Sequence, residues 1–438
     1  ITVSGGPAER PDAHPPRREQ ADLAATRRDA GSAAFPGKRL VVPAGSAAVR
    51  SNDTDYPFRA HSAFAHLTGW ASDSQPDSVL VFEPTDAGHD VTLYFRERAD
   101  RHTAEFYSNA SIGEFWIGPR PALDGVAAEL GVATAHIDDF VAGDADLVVD
   151  KDEELTRFVS ELRLIKDSYE IAQMRLAVDV TARGFDDVIA ELPKAIAHAR
   201  GERIVEGVFS TRARADGNEV GYSTIAASGP HACYLHWTRN DGVVAPGDLI
   251  LIDAGVEVDS LYTADITRTL PVSGTFTEIQ RRIYETVREA ADAAFAAAKI
   301  GVKFRSVHEA AMEVIAARTA EWGLLPVTAQ EALDADNGGQ HRRYMVHGTS
   351  HHLGIDVHDC AQARREMYYD GELEAGMVFT IEPGLYFQID DVTVPEEYRG
   401  IGARIEDDIL MTADGPVNLS AAIPRTADEV EAWVQRSL

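Results

Sequence analysis

Cysteine is nearly missing from this chain: Cys233 and Cys360 are the only two in 438 residues. So small a number excludes a disulfide framework and fits two incidental buried thiols in a reducing cytoplasm, the expected location. Long apolar runs are also missing, and none approaches the roughly 20 residues of a membrane-spanning helix. The first 30 or so residues have no signal-peptide apolar region and are rich in Arg, Pro, Asp and Ala. Residue 1 is Ile, so the sequence reads as starting inside a longer chain. Positive charge is scarce, with 41 Lys and Arg against 71 Asp and Glu and a formal net charge of −30. Nucleic acid and anionic membrane both need a basic face, so neither is expected as a partner. What is present is enough apolar material, 45% of residues, to bury one large core or two moderate ones, and two domains are expected at this length.

Residues 1–18, with Gly5, Gly6, Pro7, Pro11, Pro15 and Pro16 among alternating charges, read as a mobile arm. Residues 19–160 are expected to form an α/β domain. Leu40–Ala44, Ser78–Phe82 and Val91–Phe95 look like buried strands there, and Leu123–Leu130 like a helix. Residues 161–438 read as an α+β domain. Asp167 and Glu170 have capping-box spacing ahead of a long helix that buries Met174, Ala177, Val178 and Phe185. Thr277 with Gln280 opens a second helix, and Ser306 with Glu309 a third. Strands are expected at Leu249–Ile252, Thr263–Leu270, Met377–Ile381 and Ile405–Met411, mostly antiparallel, with polar residues gathered on one face of a curved sheet. Helix followed by carboxylate-bearing strands occurs twice, the mark of a diffuse twofold duplication.

The chemistry sits at the ends of those strands. Asp253 closes Leu249–Ile252, and Asp265 precedes Ile266–Leu270; a short hairpin would bring both to neighbouring strands. Asp is depleted in strands, so two such positions need a reason. Glu382 follows the apolar run Met377–Ile381 and precedes Pro383-Gly384, a pair that ends strand pairing. Arg404 and Glu406 are two apart, on one strand face, where the arginine could orient the glutamate. Five histidines crowd one segment: His341, His347, His351, His352 and His358. They cannot all be ligands, because the carboxylates already nearly fill two coordination shells. Some suit metal binding and others hydrogen bonding to a transition state near neutral pH. Carboxylates near a core are costly unless a cation neutralises them. Four carboxylates (Asp253, Asp265, Glu382, Glu406) with His351 are too acidic for one zinc ion and suit two divalent metals sharing bridging carboxylates.

Asp253-Ala-Gly, Ala264-Asp-Ile-Thr-Arg-Thr269, His347-Gly-Thr-Ser-His351, Gly354-Ile-Asp-Val-His358-Asp, Gly376 to Tyr386 and Gly402-Ala-Arg-Ile-Glu-Asp407 resemble the signature blocks of the pita-bread metallopeptidases. Within that group the chain most resembles aminopeptidase P (Xaa-Pro aminopeptidase), with prolidase next; Val394–Gly402, Asp55–Arg59 and Phe64–Gly69 add to the likeness. It covers nearly everything from about residue 20 onward. The resemblance implies a C-terminal pita-bread domain behind a smaller α/β domain, in a homo-oligomer, dimer or tetramer. It implies cleavage between an N-terminal residue and a penultimate proline in a peptide substrate, with two divalent ions, Mn²⁺ foremost and Co²⁺, Zn²⁺ or Fe²⁺ as alternatives. Asp253 would chelate one metal, Asp265 and Glu406 would bridge both, and His351 and Glu382 would complete the other shell. His236, His347 and His358 correspond to substrate-site histidines, His358 placed to polarise the scissile carbonyl, and Arg404 to the arginine of the last block. Glu382 would shuttle a proton to the leaving nitrogen. Trp116 corresponds to a tryptophan that reaches a neighbouring subunit's site. His352 stands where the bacterial pattern has an aromatic residue, which puts fine specificity in question. The rivals are a strict dipeptidase of the prolidase type and a non-catalytic pita-bread module that binds protein; the latter class loses the ligands that this chain keeps.

Overall fold

The computed structural model describes residues 15–144 and 146–438, so most of the expected arm, residues 1–14, lies outside the described residues. The chain divides into two compact units, Ile1–Val159 and Ser160–Leu438. In the first, a mixed five-stranded sheet has Val79–Thr85 at its centre, flanked antiparallel by Leu40–Pro43 and Gly88–Phe95. Leu147–Val148 and Ala133–His136 add in parallel at the two edges. Leu123–Leu130 is helical as its pattern implies, and Gly131, at φ 63°, ends it in the left-handed conformation that glycine adopts without strain.

The second unit carries the polar cluster. Ser168–Ile196 runs for 29 residues behind a complete Asp167/Glu170 capping box, and Glu278–Ala297 behind a complete Thr277/Gln280 box. The third helix departs from expectation. It spans Arg305–Glu321, with Phe304 as its N-cap and no side-chain cap, so Ser306 and Glu309 are inside it. Packing decides this start: buried Phe304 stacks on His352 and meets Tyr368 and Phe379 edge-on.

Leu249–Ala254 pairs antiparallel with Ile225–Ser228 on one side and Ile266–Pro271 on the other. Asp407–Thr412 likewise lies between Val378–Ile381 and Gly415–Asn418. Ahead of the first sheet stand Ser168–Ile196 and Gly201–Asp216; ahead of the second, Glu278–Ala297 and Arg305–Glu321. Two helices and then three antiparallel strands thus occur twice. Arg268 joins the halves. Fully buried on the first sheet, it donates to Asp407 Oδ1 (2.8 Å), to the Glu406 carbonyl (2.7 Å) and to the Pro424 carbonyl (2.8 Å). A buried guanidinium is tolerable only when its donors are filled in this way. Gly255 has a stricter task, because a Cβ there would lie 1.6 Å from the Ala264 carbonyl oxygen. Only glycine allows the backbones after Asp253 and before Asp265 to come that close. Among the described residues no helix is long and apolar enough to cross a membrane.

Candidate metal centre and active-site cavity

A cavity of about 640 Å³ opens in the second unit, lined by Asp253, Asp265, His236, His347, His351, His358, Glu382, Arg404 and Glu406. Nine residues singled out from scattered stretches of sequence therefore share one space. Trp116 is not among its lining; it stands in the first unit, 60% exposed, its indole donating to the Tyr107 carbonyl at 2.7 Å. His341 lies elsewhere too, bonded through Nδ1 to the Ala332 carbonyl at 3.0 Å.

Asp265, His351 and Glu406 present ligand atoms that all lie within 4.8 Å of one another. His351 Nδ1 is 3.1 Å from the His352 carbonyl, which only accepts, so Nδ1 carries the hydrogen. In the neutral ring the lone pair is therefore on Nε2, which faces Asp265 Oδ2 at 3.3 Å and Glu382 Oε1 at 3.6 Å. Fixing one imidazole nitrogen through a backbone carbonyl is how a ligand histidine is oriented toward a metal. The Tyr222 hydroxyl lies 2.7 Å from Asp253 Oδ1 and 2.5 Å from Asp265 Oδ1, one proton shared between two carboxylates. Arg404 donates to Asp253 Oδ2 at 2.5 Å, so its direct partner is Asp253 and not Glu406. It reaches Glu406 through a relay, Arg404 Nε to Thr267 Oγ1 (3.1 Å) and Thr267 Oγ1 to Glu406 Oε2 (2.7 Å).

The electrostatics show the cost of this crowding. Burial, reinforced by Asp265, Glu382 and Asp253, pushes Glu406 well above the usual carboxylate range. Burial likewise pushes Glu382 up to about 8 and raises Asp253, although Arg404 opposes it. Asp408 is pushed up as well, and its buried Oδ1 has no hydrogen-bond partner. Burial alone would lower His351, but Asp265 and Glu382 outweigh it and raise the ring to about 9. A cluster that must hold on to protons when left to itself fits a divalent cation, which supplies the missing positive charge. The donor set of carboxylate oxygens and a single imidazole suits hard to borderline metals.

His347, His352 and His358 shift the other way from His351. Burial and then Arg404 bring His347 down to about 3, and burial and then His351 lower His358. Because His347 Nδ1 faces the Gly348 carbonyl at 2.7 Å, its Nε2 accepts from Tyr386 OH at 2.7 Å, and Arg404 donates to that hydroxyl at 3.1 Å. The His358 ring stands 4.4 Å from that of His351, edge to face. His352 points away from the cavity into the core, stacked on Phe304 at 4.5 Å with neither ring nitrogen bonded; burial brings it down to about 3. Asp359, next to His358, anchors this loop: burial would raise its carboxyl, but Lys166 and Arg163 at 3.1 and 2.8 Å bring it down to about 2.

Sequence reasoning missed Tyr222, Thr267 and Tyr386. Tyr386 closes one of the quoted blocks and Thr267 lies inside another, so position within a block was a usable signal for both. Tyr222, in a short Gly-Tyr-Ser segment, gave none.

Residues 172–413 match the model of metallopeptidase family M24, and residues 24–153 match that of the aminopeptidase P N-terminal domain. Xaa-Pro aminopeptidase 1 of Streptomyces coelicolor is 51% identical over 95% of this chain and 87% of its own length. The Xaa-Pro aminopeptidase of Escherichia coli is 33% identical over 91% of this chain and 93% of its own. A zinc-substituted E. coli aminopeptidase P, solved in complex with product, superposes with a TM-score of 0.82 at 30% identity, covering 95% of this chain and 99% of that one. These likenesses extend across both units and exceed what a shared fold alone would give. The chain therefore belongs to metallopeptidase family M24, in its aminopeptidase P form, and is a hydrolase.

Proposed function

We propose that this chain is a Xaa-Pro aminopeptidase that binds two divalent cations, Mn²⁺ foremost, and removes the first residue from peptides whose second residue is proline. One observation carries the reading: four carboxylates and His351 Nε2 converge in a cavity whose own groups cannot balance their charge. Asp253, Asp265, His351, Glu382 and Glu406 would hold the ions. Bound there, divalent cations would supply Lewis acidity and a water acid enough to attack at neutral pH.

The chain's own residues account for the rest. Glu382, 3.6 Å from both His351 Nε2 and His347 Nδ1, sits where its carboxylate can take a proton from the attacking water and pass it to the proline nitrogen as that nitrogen leaves. Burial of its ring among the cavity groups lowers His358, which favours the neutral form, and one ring nitrogen can donate to the carbonyl oxygen as negative charge develops on it. Arg404 is tied to Asp253 and to the same Tyr386 hydroxyl that bonds His347, which fixes that wall of the cavity. His236 lines the same cavity, placed to face the substrate. In the first unit Phe115 and Trp116 are 69% and 60% exposed beside Tyr107 and Ile117, an apolar surface that supports assembly with further copies of the chain.

Four peptides test the substrate claim in the presence of Mn²⁺: Xaa-Pro-Xaa, its N-acetylated form, its C-terminal amide and the dipeptide Xaa-Pro. The tripeptide and its amide should both release the first residue. The acetylated form should lose orders of magnitude in kcat/KM, because it lacks the free amine. Efficient cleavage of the acetylated peptide would sink the proposed orientation. An inert amide beside a good dipeptide substrate would mark a strict dipeptidase instead.

A further inference from the structure

The cavity residue His236 is held in place from outside the cavity. It sits in the loop that leaves the strand Ile225–Ser228 and returns at Gly242, a stretch with only a short 3₁₀ turn at Gly229–Cys233 to hold its shape. Glu202, in the first turn of the helix Gly201–Asp216, is fully buried and does not line the cavity. Its carboxylate accepts four hydrogen bonds, all from this loop. Oε1 takes the Ser228 backbone N–H at 2.8 Å and His231 Nδ1 at 2.7 Å. Oε2 takes Trp237 Nε1 at 2.9 Å and the Gly242 N–H at 2.6 Å. The Glu202 N–H returns a bond to the Gly242 carbonyl at 3.2 Å. One side chain thus grips both ends of the loop and its middle.

An ionised carboxylate has about four acceptor positions and no donor, and here all four are filled. Bonds to a charged acceptor are also roughly twice as strong as neutral ones. The grip meets the loop at the immediate neighbour of His236, because Trp237 donates to Glu202 while its ring stacks on His231 at 3.8 Å. Arg239 covers Trp237 at 5.0 Å from the ring centroid. Asn240, buried at the far end, accepts from the Ala226 N–H at 2.9 Å and donates to the Thr224 carbonyl at 2.8 Å, which ties the loop to the strand it left. Nothing in this arrangement touches the metal-centre carboxylates. Its effect falls on the stretch that presents Leu235, His236 and Thr238 to the cavity.

We propose that Glu202 is a positioning residue for the reaction, aiming His236 into the cavity by clasping the loop from Ser228 to Gly242 through one buried carboxylate. This rests on the substrate role given to His236 above. Glu202→Gln is the discriminating change: with its NH₂ toward Trp237 and Gly242 it forfeits both of those bonds, and with its NH₂ toward Ser228 and His231 it forfeits the Ser228 bond and forces His231 into its other tautomer. The experiment compares the chain with Glu202→Gln, His236→Ala and the double variant, measuring kcat/KM on Xaa-Pro-Xaa, metal content and Tm. Each single change should lower kcat/KM by more than about tenfold at unchanged metal content. The double variant should be no worse than His236→Ala within about twofold, because the clasp then has nothing left to aim. Tm should fall with Glu202→Gln in both backgrounds alike. Trp237→Phe, which removes one of the four donors, should fall between the chain and Glu202→Gln, and it replaces Glu202→Gln in the cycle if that variant does not fold. Losses that multiply in the double variant, or a full kcat/KM in Glu202→Gln, would overturn the proposal. Full activity in His236→Ala would instead overturn the substrate role of His236 on which the proposal rests.

Discussion

Glu406→Ala and Asp265→Ala are each expected to abolish peptide hydrolysis and leave the protein unable to retain metal. Both carboxylates sit where His351 Nε2 also points, and their ligand atoms lie within 4.8 Å of one another. Removing either takes a donor from whatever cation occupies that space. Losing an outer partner of a metal site costs about 10–100-fold, and losing a ligand that two cations would share should exceed it. His358→Ala is the contrast. His358 lines the cavity, but the role proposed for it is to donate to developing charge, so metal content should stay near normal while kcat falls. Metal analysis of dialysed protein beside turnover of Xaa-Pro-Xaa separates the two. A Glu406→Ala variant with full metal and normal turnover would refute the ligand assignment, and metal loss in His358→Ala would refute the division of roles.

The second large effect is on the stability of the metal-free protein as pH changes. Burial raises Glu382 to about 8, and Glu406 and Asp253 rise as well. A carboxyl whose folded pKa lies above its unfolded value binds its proton more tightly in the folded chain. Its contribution is complete below the unfolded pKa and is lost as pH rises through the folded one. His351, raised to about 9 because Asp265 and Glu382 overcome burial, follows the same sign above its unfolded value. In chelator-treated protein the carboxyl contributions are therefore lost from about pH 4.5 upward, and that of His351 from about pH 6.5 to 9. His347 and His352, both brought down to about 3 by burial, have the opposite sign: their contribution is present above the unfolded histidine value and is lost as pH falls. Above neutrality the histidine contributions are complete and only losses remain, so the Tm of metal-free protein should fall several degrees between pH 7 and 9. Mn²⁺ should remove the alkaline fall, because bound carboxylates need no protons. Thermal scans from pH 5 to 9, with and without chelator, test this; a metal-free Tm that rises steadily to pH 9 would contradict it.

The helices capped by Asp167 and Thr277 were legible because a capping box is a local signal contained in four residues. The helix at Arg305 was misread at its start because Phe304, a residue with no capping chemistry, fixes it by packing against rings some 48 to 75 positions later. Asp253 and Asp265 were legible as a pair since both end apolar strands one short connection apart. The true partner of Arg404 was not, because period two along a strand points to Glu406 while the guanidinium crosses to Asp253 in the other sheet. Glu202 left no trace at all in the sequence: a glutamate in the first turn of a helix reads as dipole complementation, and only the returning loop reveals the four donors that face it.

The joined halves have one more consequence. Asp253 and Asp265 come from the strands that follow the first pair of helices, whereas His351, Glu382 and Glu406 come from the segment after the second pair. Neither half holds all five of the proposed donors, so a cation held by them would require the two to be closed upon each other. Binding and closure are then thermodynamically linked. A cation at about 1,000 times its dissociation constant adds about 4 kcal/mol to the closed state. The metal centre thus acts as a fastener for the seam as well as a reagent. Chelation should be felt first as faster amide exchange at Thr267, Arg404 and Glu406, where Arg268 and its neighbours bridge the two sheets, while the helices behind them remain protected.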